Sequence, residues 1–109
     1  MRDGVYQVHL ASQGLKGFLI GTLCDGRLTG CDQTHHVTGY LERDGSRFKG
    51  TLVLKRHARP PGFREIANLD DFEVRFSGIC GDSFGQFDAR ILDKPDVPVT
   101  ATFRWVCEL

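Results

Sequence analysis

The side chains best suited to chemistry in this chain are its four histidines and four cysteines. His35 and His36 are adjacent and close to Asp32, while His9 and His57 stand apart. A zinc site needs three or four ligands converging at about 2 Å. Neighbours on a strand point to opposite faces, so His35 and His36 cannot both reach one metal. A solvated loop pair is the expected arrangement, with no metal. Nucleophilic hydrolysis would need a Ser or Cys beside a His and an acid. No G-x-S-x-G occurs, and His9, His57, Ser77 and Ser83 share no motif. The glycines form neither G-x-G-x-x-G nor G-x-x-x-x-G-K-[ST], so no phosphate loop is written into the chain. The sequence therefore predicts no enzyme and no cofactor.

Cys24, Cys31, Cys80 and Cys107 contain no C-x-x-C, which removes the zinc-knuckle and thioredoxin-type readings. Their even count would serve two disulfides, but MRDGVYQV lacks the apolar core of a secretion signal, so reduced thiols and a cytoplasmic location are expected. No run approaches the roughly 18 apolar residues of a membrane helix, and no membrane partner is expected. The one basic run is Lys55–Arg59. A phosphate contact there is conceivable, but Lys55 and Arg56 face opposite sides of a strand and no aromatic stripe accompanies them. A solvated strand end is the better reading. The formal net charge of the 109 residues is zero, so no global field draws in nucleic acid.

The elements that must position these groups are strands. Alternating apolar and polar residues run over Gly4–Ala11, Lys16–Cys24, Arg27–Gly30, His36–Arg43, Ser46–His57, Phe72–Cys80, Ser83–Leu92 and Val97–Leu109. Turn residues separate them: Ser12–Gly14, Asp25-Gly26, Asp44-Gly45, Gly81-Asp82 and Lys94–Asp96. Asp-Gly between alternating runs is the strongest short-range hairpin signal. A two-residue loop at Asp25-Gly26 pairs Cys24 with Arg27, not with Cys31. Ala58–Asp71 breaks the pattern through Pro60-Pro61-Gly62, and 63–69 has room for at most one short helical turn.

Sequential hairpins favour neighbours in space, and closure removes exposed edges. The expectation is one all-β domain over residues 1–109, an eight-stranded antiparallel up-and-down β-barrel, with a sandwich as the alternative. Glycines inside the strands would supply the bends that closure demands. The inward apolar set is Tyr6, Tyr40, Phe48, Phe72, Phe76, Phe87, Phe103 and Trp105. An eight-stranded interior is just wide enough to be filled by side chains or to hold one small ligand. In the hollow case Tyr6, Tyr40, Phe76, Phe103 and Trp105 would touch the ligand, with Gly50 and Gly78 leaving volume unoccupied.

Four segments, D-G-V-Y at Asp3–Tyr6, D-G-R-L-T-G-C-D at Asp25–Asp32, T-G-Y-L at Thr38–Leu41 and K-R-H at Lys55–His57, resemble the GrlR-like family. That family is named for the negative regulator of the enterocyte-effacement type III secretion locus. The resemblance spans roughly residues 1–57. It implies a lipocalin-like small barrel with an apolar cavity, a bacterial cytoplasmic setting, a homodimer, and a transcriptional regulator as protein partner. The family's acidic partner-binding run falls here on Glu42, Arg43 and Asp44, where only Glu42 and Asp44 are acidic. Without clustered charge, attraction for a basic partner is weak. Two expectations follow: a non-enzymatic regulatory protein acting through a protein contact, or a carrier or sensor of a small apolar ligand inside the barrel.

Overall fold

The structure, a computed structural model, describes residues 1–109. Eight strands follow in chain order: β1 (Gly4–Ser12), β2 (Leu15–Cys24), β3 (Arg27–Cys31), β4 (His35–Asp44), β5 (Arg47–Arg56), β6 (Asp71–Cys80), β7 (Phe84–Ile91) and β8 (Lys94–Cys107). Each pairs antiparallel with the next, and β8 returns to β1 to close the barrel. At the closure Tyr6 lies opposite Trp105 and Val8 opposite Phe103. No helix forms. Residues 57–70 cross one end of the barrel as an irregular strap that contains Phe63–Leu69.

Turn chemistry sets the registers. Gln13-Gly14 and Asp25-Gly26 have φ of 50° and 83°, and of 51° and 78°, the paired positive values of type I′ hairpins. Cys24 accordingly faces Arg27. The next hairpin lies one residue beyond the expected place: Asp44 pairs with Arg47, and the loop is Gly45-Ser46. There only Gly45 has positive φ, 64°, as a II′ turn needs at its first position. The last turn is Leu92-Asp93, with Ile91 opposite Lys94, so Lys94–Asp96 joins β8 instead of forming the turn. Pro95 cannot donate to a ladder, consistent with the register shift between Ala89 and Ile91.

Packing inside the barrel is uneven, and the cause is where the inward glycines meet phenylalanine. Across β5 to β8, Gly50 faces Phe76, Gly78 faces Phe87, and Gly85 faces Phe103. At Gly50 and Gly85 the ring occupies the space of the missing side chain, and at Gly78 the Cα and Cβ of Phe87 do. A Cβ at Gly50 would stand 2.6 Å from Phe76 Cζ, and one at Gly78 2.7 Å from Phe87 Cβ. The rings also meet each other, with centroids 5.4 Å apart for Phe76–Phe87 and 5.6 Å for Phe48–Phe103. The space at Gly50 and Gly78 is thus filled from across the strand and is not the empty volume expected from the sequence. Tyr6, Leu23, Leu41, Phe48, Phe76 and Phe103 form the buried cluster at this end. Ala67, Val74, Ile91 and Val99 form a second one beneath the strap.

Two expected interior residues are placed differently. Tyr40 is 61% exposed on the outer wall, because the inward phase of β4 belongs to Val37, Gly39 and Leu41. Trp105 points inward but is only half-buried at the barrel end, where Arg2 stacks on it with Cζ 3.5 Å from the ring centroid. Its indole nitrogen donates to the Asp3 carbonyl at 3.2 Å.

The glycines should respond to substitution according to what faces them. Gly50→Ala drives a methyl into the Tyr40 carbonyl and the Phe76 ring, and is expected to destabilise by about 1–3 kcal/mol, the usual range for overpacking. At Gly17 the nearest atom to a new Cβ is the movable Leu10 Cδ1 at 3.3 Å, so Gly17→Ala should stay within about 1 kcal/mol of the parent. Urea unfolding of both variants checks the order; equal costs would contradict it.

Candidate functional site

On the other side of the barrel the inward glycines meet no aromatic ring. Gly21 and Gly30 lie directly opposite one another on β2 and β3, and Gly17 faces Leu10. The result is a cavity of about 730 Å³ lined by Gly17, Gly21 and Gly30 together with Leu19, Leu28, Val37 and Leu54. Its floor is aromatic: Tyr6, Phe48, Phe76 and Phe103. The size falls within the roughly 300–1,000 Å³ typical of small-molecule sites.

The cavity opens where the sheet is incomplete. β3 is only five residues long and pairs with Ile20–Cys24, so Leu15–Leu19 of β2 pair with β1 alone. The chain leaves β3 at Asp32 and re-enters the sheet at His35. Around this gap stand Lys16 and Phe18 of β2, Gln33 of the connection, and Phe63 and Arg64 of the strap, all of them exposed and lining the cavity. The gap is its mouth. An unpaired strand edge invites pairing with other chains, and a lysine such as Lys16 discourages it.

Arg56 ties the strap across this end. Its place in the inward phase of β5 puts a guanidinium where an apolar side chain would otherwise sit, so it must find partners. All five of its N–H donors find one. Two go to the Glu65 carboxylate at 2.8 Å each, one to Asp70 Oδ1 at 2.7 Å, and two to the Ala58 and Leu69 carbonyls at 3.1 and 3.2 Å. The Arg56 and Glu65 side chains are each only 10% exposed. The bonds to Glu65, and then those to Asp70, hold the Arg56 guanidinium well above its ordinary pKa. Arg56 in turn, with Arg59 at 2.6 Å, holds the Asp70 carboxyl below its ordinary value of 3.8. Bidentate pairing of this kind fixes geometry as well as charge. Arg56 is therefore not part of a solvated strand end.

His35 belongs to the same fastening. It opens β4 and faces inward, while His36 faces solvent, so the pair does divide between two faces but is not a surface loop. The Leu69 carbonyl, 2.7 Å from Nε2, can only accept, which places a proton on Nε2. Nδ1 lies 2.7 Å from the Thr34 hydroxyl, whose single proton is shared between this contact and Asp32 Oδ1 at 3.0 Å. Asp32 Oδ1 accepts from the Thr34 and His35 backbone N–H groups, at 2.9 and 2.7 Å. No buried side-chain polar atom is without a partner. At the floor, the Tyr6 hydroxyl donates to the Arg2 carbonyl, and burial pushes its pKa up. The interior thus presents no unmet polar group.

Of the interior residues expected from the sequence, Tyr6, Phe76 and Phe103 come together at the cavity floor, whereas Tyr40 and Trp105 lie outside the lining. Glu42, Arg43 and Asp44 end β4 on the surface, with Glu42 across from Lys49 and Asp44 across from Arg47. Arg43 donates to the Met1 carbonyl. Gly17, Gly21, Gly30 and Leu19, which shape the hollow, are not among the expected site residues. For Gly17, Leu19 and Gly21 the signal was the phase of β2, where every second residue from Leu15 to Leu23 is Leu or Gly. All four cysteines are free thiols, and no three His, Cys, Asp or Glu side chains come together. No family model matches the sequence, and no curated protein matches it either.

Acid should loosen the strap. Asp70 has a depressed folded-state pKa, so its contribution is complete above its ordinary value and is lost as the pH falls through the depressed one. The Arg56 amide donates to the Asp70 carbonyl, and those of His57 and Ala58 donate to the Thr34 carbonyl. Their protection against exchange, relative to the intrinsic rate at each pH, should therefore fall below about pH 4. In Asp70→Asn the acid-dependent part should shrink. An identical acid response in the variant would contradict this role.

Proposed function

We propose that this chain is a non-enzymatic binding protein, a carrier or sensor that holds a small apolar molecule inside the barrel. The observation that supports it is the cavity: about 730 Å³, walled by leucine, valine and glycine, floored by aromatic rings, and open at one mouth. An apolar cavity of even about 150 Å³ stays dry and takes up benzene or xenon. Apolar surface facing such a space lacks dispersion partners, and a fitting ligand supplies them. The two polar groups that reach the cavity from the strap end, Glu65 and His35, are held by Arg56 and by Thr34 and the Leu69 carbonyl.

A lipocalin-like carrier agrees with the GrlR-like resemblance in cavity and barrel. The partner-binding role that the same resemblance implies has less support, since Glu42 and Asp44 each face a cation across the β4–β5 ladder. The outer wall carries Lys49, Glu73, Arg75, Asp88 and Arg90 along its strands, unlike the apolar band of a lipid-facing barrel.

A titration with N-phenylnaphthylamine, a neutral dye that brightens in apolar surroundings, tests the proposal. The parent should bind it saturably. Leu19→Trp, which places an indole in the hollow, should lose that binding while keeping its β-sheet circular dichroism. No binding by the parent, or equal binding by a folded Leu19→Trp, would contradict an interior site.

A further inference from the structure

Resting on the proposed interior site, we infer that its ligand is an anionic amphiphile, with an apolar tail in the barrel and an acidic head group at the mouth between Lys16 and Arg64. Inside, every buried polar side-chain atom is already bonded within the protein, so the part of the ligand that enters has nothing polar to satisfy. The mouth differs. Lys16 and Arg64 both line it, both are exposed, and neither takes part in any ion pair or side-chain hydrogen bond of the fold. Gln33, also exposed in the lining, is likewise an unengaged donor.

The two acids of the lining are spoken for in different degrees. Glu65 is neutralised by Arg56, and Asp32 directs Oδ1 to the backbone amides of Thr34 and His35 and to the Thr34 hydroxyl. The charge balance at the mouth therefore favours an anion, with Asp32 as the one group that would attract a cation instead. Phe18 and Phe63, both exposed at the rim, offer apolar surface to the first part of a tail as it leaves the head group. Lys16 and Arg64 lie on different elements, β2 and the strap, so a head group held between them would also tie the strap to the unpaired edge of β2.

The test is displacement of N-phenylnaphthylamine by three ligands with one tail: dodecanoate, dodecanol and dodecylammonium. Dodecanoate should compete about five- to tenfold better than dodecanol, the scale of two exposed charge contacts, and added salt should erode the difference. In Lys16→Gln/Arg64→Gln the dye should bind as in the parent, and dodecanoate and dodecanol should become equal. Parity in the parent, a preference for dodecylammonium, or an unchanged dodecanoate preference in the double variant would overturn the head-group assignment while leaving the cavity in place. Failure of the parent to bind the dye would overturn both.

Discussion

The arrangement depends on one steric constraint, the pairing of inward glycines with whatever lies across the strand. Eight strands enclose too little space for a full set of large side chains and too much for a set of small ones. On β5 to β8 the space at each inward glycine is filled by the phenylalanine across from it, and the rings packed there form the floor of the cavity. On β2 and β3 Gly21 and Gly30 face each other, and Gly17 faces Leu10. Tyr6, although across from Gly21, brings no ring atom into its place, so the volume there stays open. The cavity and the core are thus two outcomes of the same inward alternation. Which one appears is decided by whether the facing side chain turns into the place of the missing one.

The incomplete β2–β3 ladder has a matching consequence. A full-length β3 would have paired Leu15–Leu19 and shut the barrel along that side. Its early end at Cys31 leaves both an opening and a barrel end that the sheet does not close. The strap of residues 57–70 covers part of that end, fastened by Arg56, Glu65, Asp70 and His35, with Lys94 donating to the Ala67 carbonyl at 2.5 Å. Polar bonds do the fastening because the strap crosses the strand ends, where ladder bonding has stopped. Ile66 and Ala67 turn its apolar side inward onto Leu10, Val74 and Val99.

Much of the fold was legible because its signals are local. Alternation and Asp-Gly or Gln-Gly turns gave the eight strands, their order and the Cys24–Arg27 register. Where turns were misplaced, as at Gly45-Ser46 and Leu92-Asp93, two neighbouring residues competed for the loop and the strand ladder decided. The site was less legible because it depends on facing. Tyr40 is apolar enough for either wall, and only the phase shared by Val37, Gly39 and Leu41 sends it outward. Gly50 and Gly78 look like empty space until their cross-strand partners are known. Arg56 reads as one member of a basic run, yet its phase with Leu52 and Leu54 turns it inward, where Glu65, nine residues on, is held for it.

The hollow between the glycine-bearing wall of β2 and β3 and the aromatic floor admits an apolar molecule, whereas the outer wall does not. Methyl-resolved NMR with a short linear alkane added to saturation addresses it directly, since the ligand carries no charge to draw it elsewhere. Shifts should concentrate at Leu10, Leu19, Leu28, Val37 and Leu54, which line the cavity, with Val53, Val106 and Ile79 on the outer wall unmoved. Shifts confined to the outer wall, or none at saturation, would contradict it.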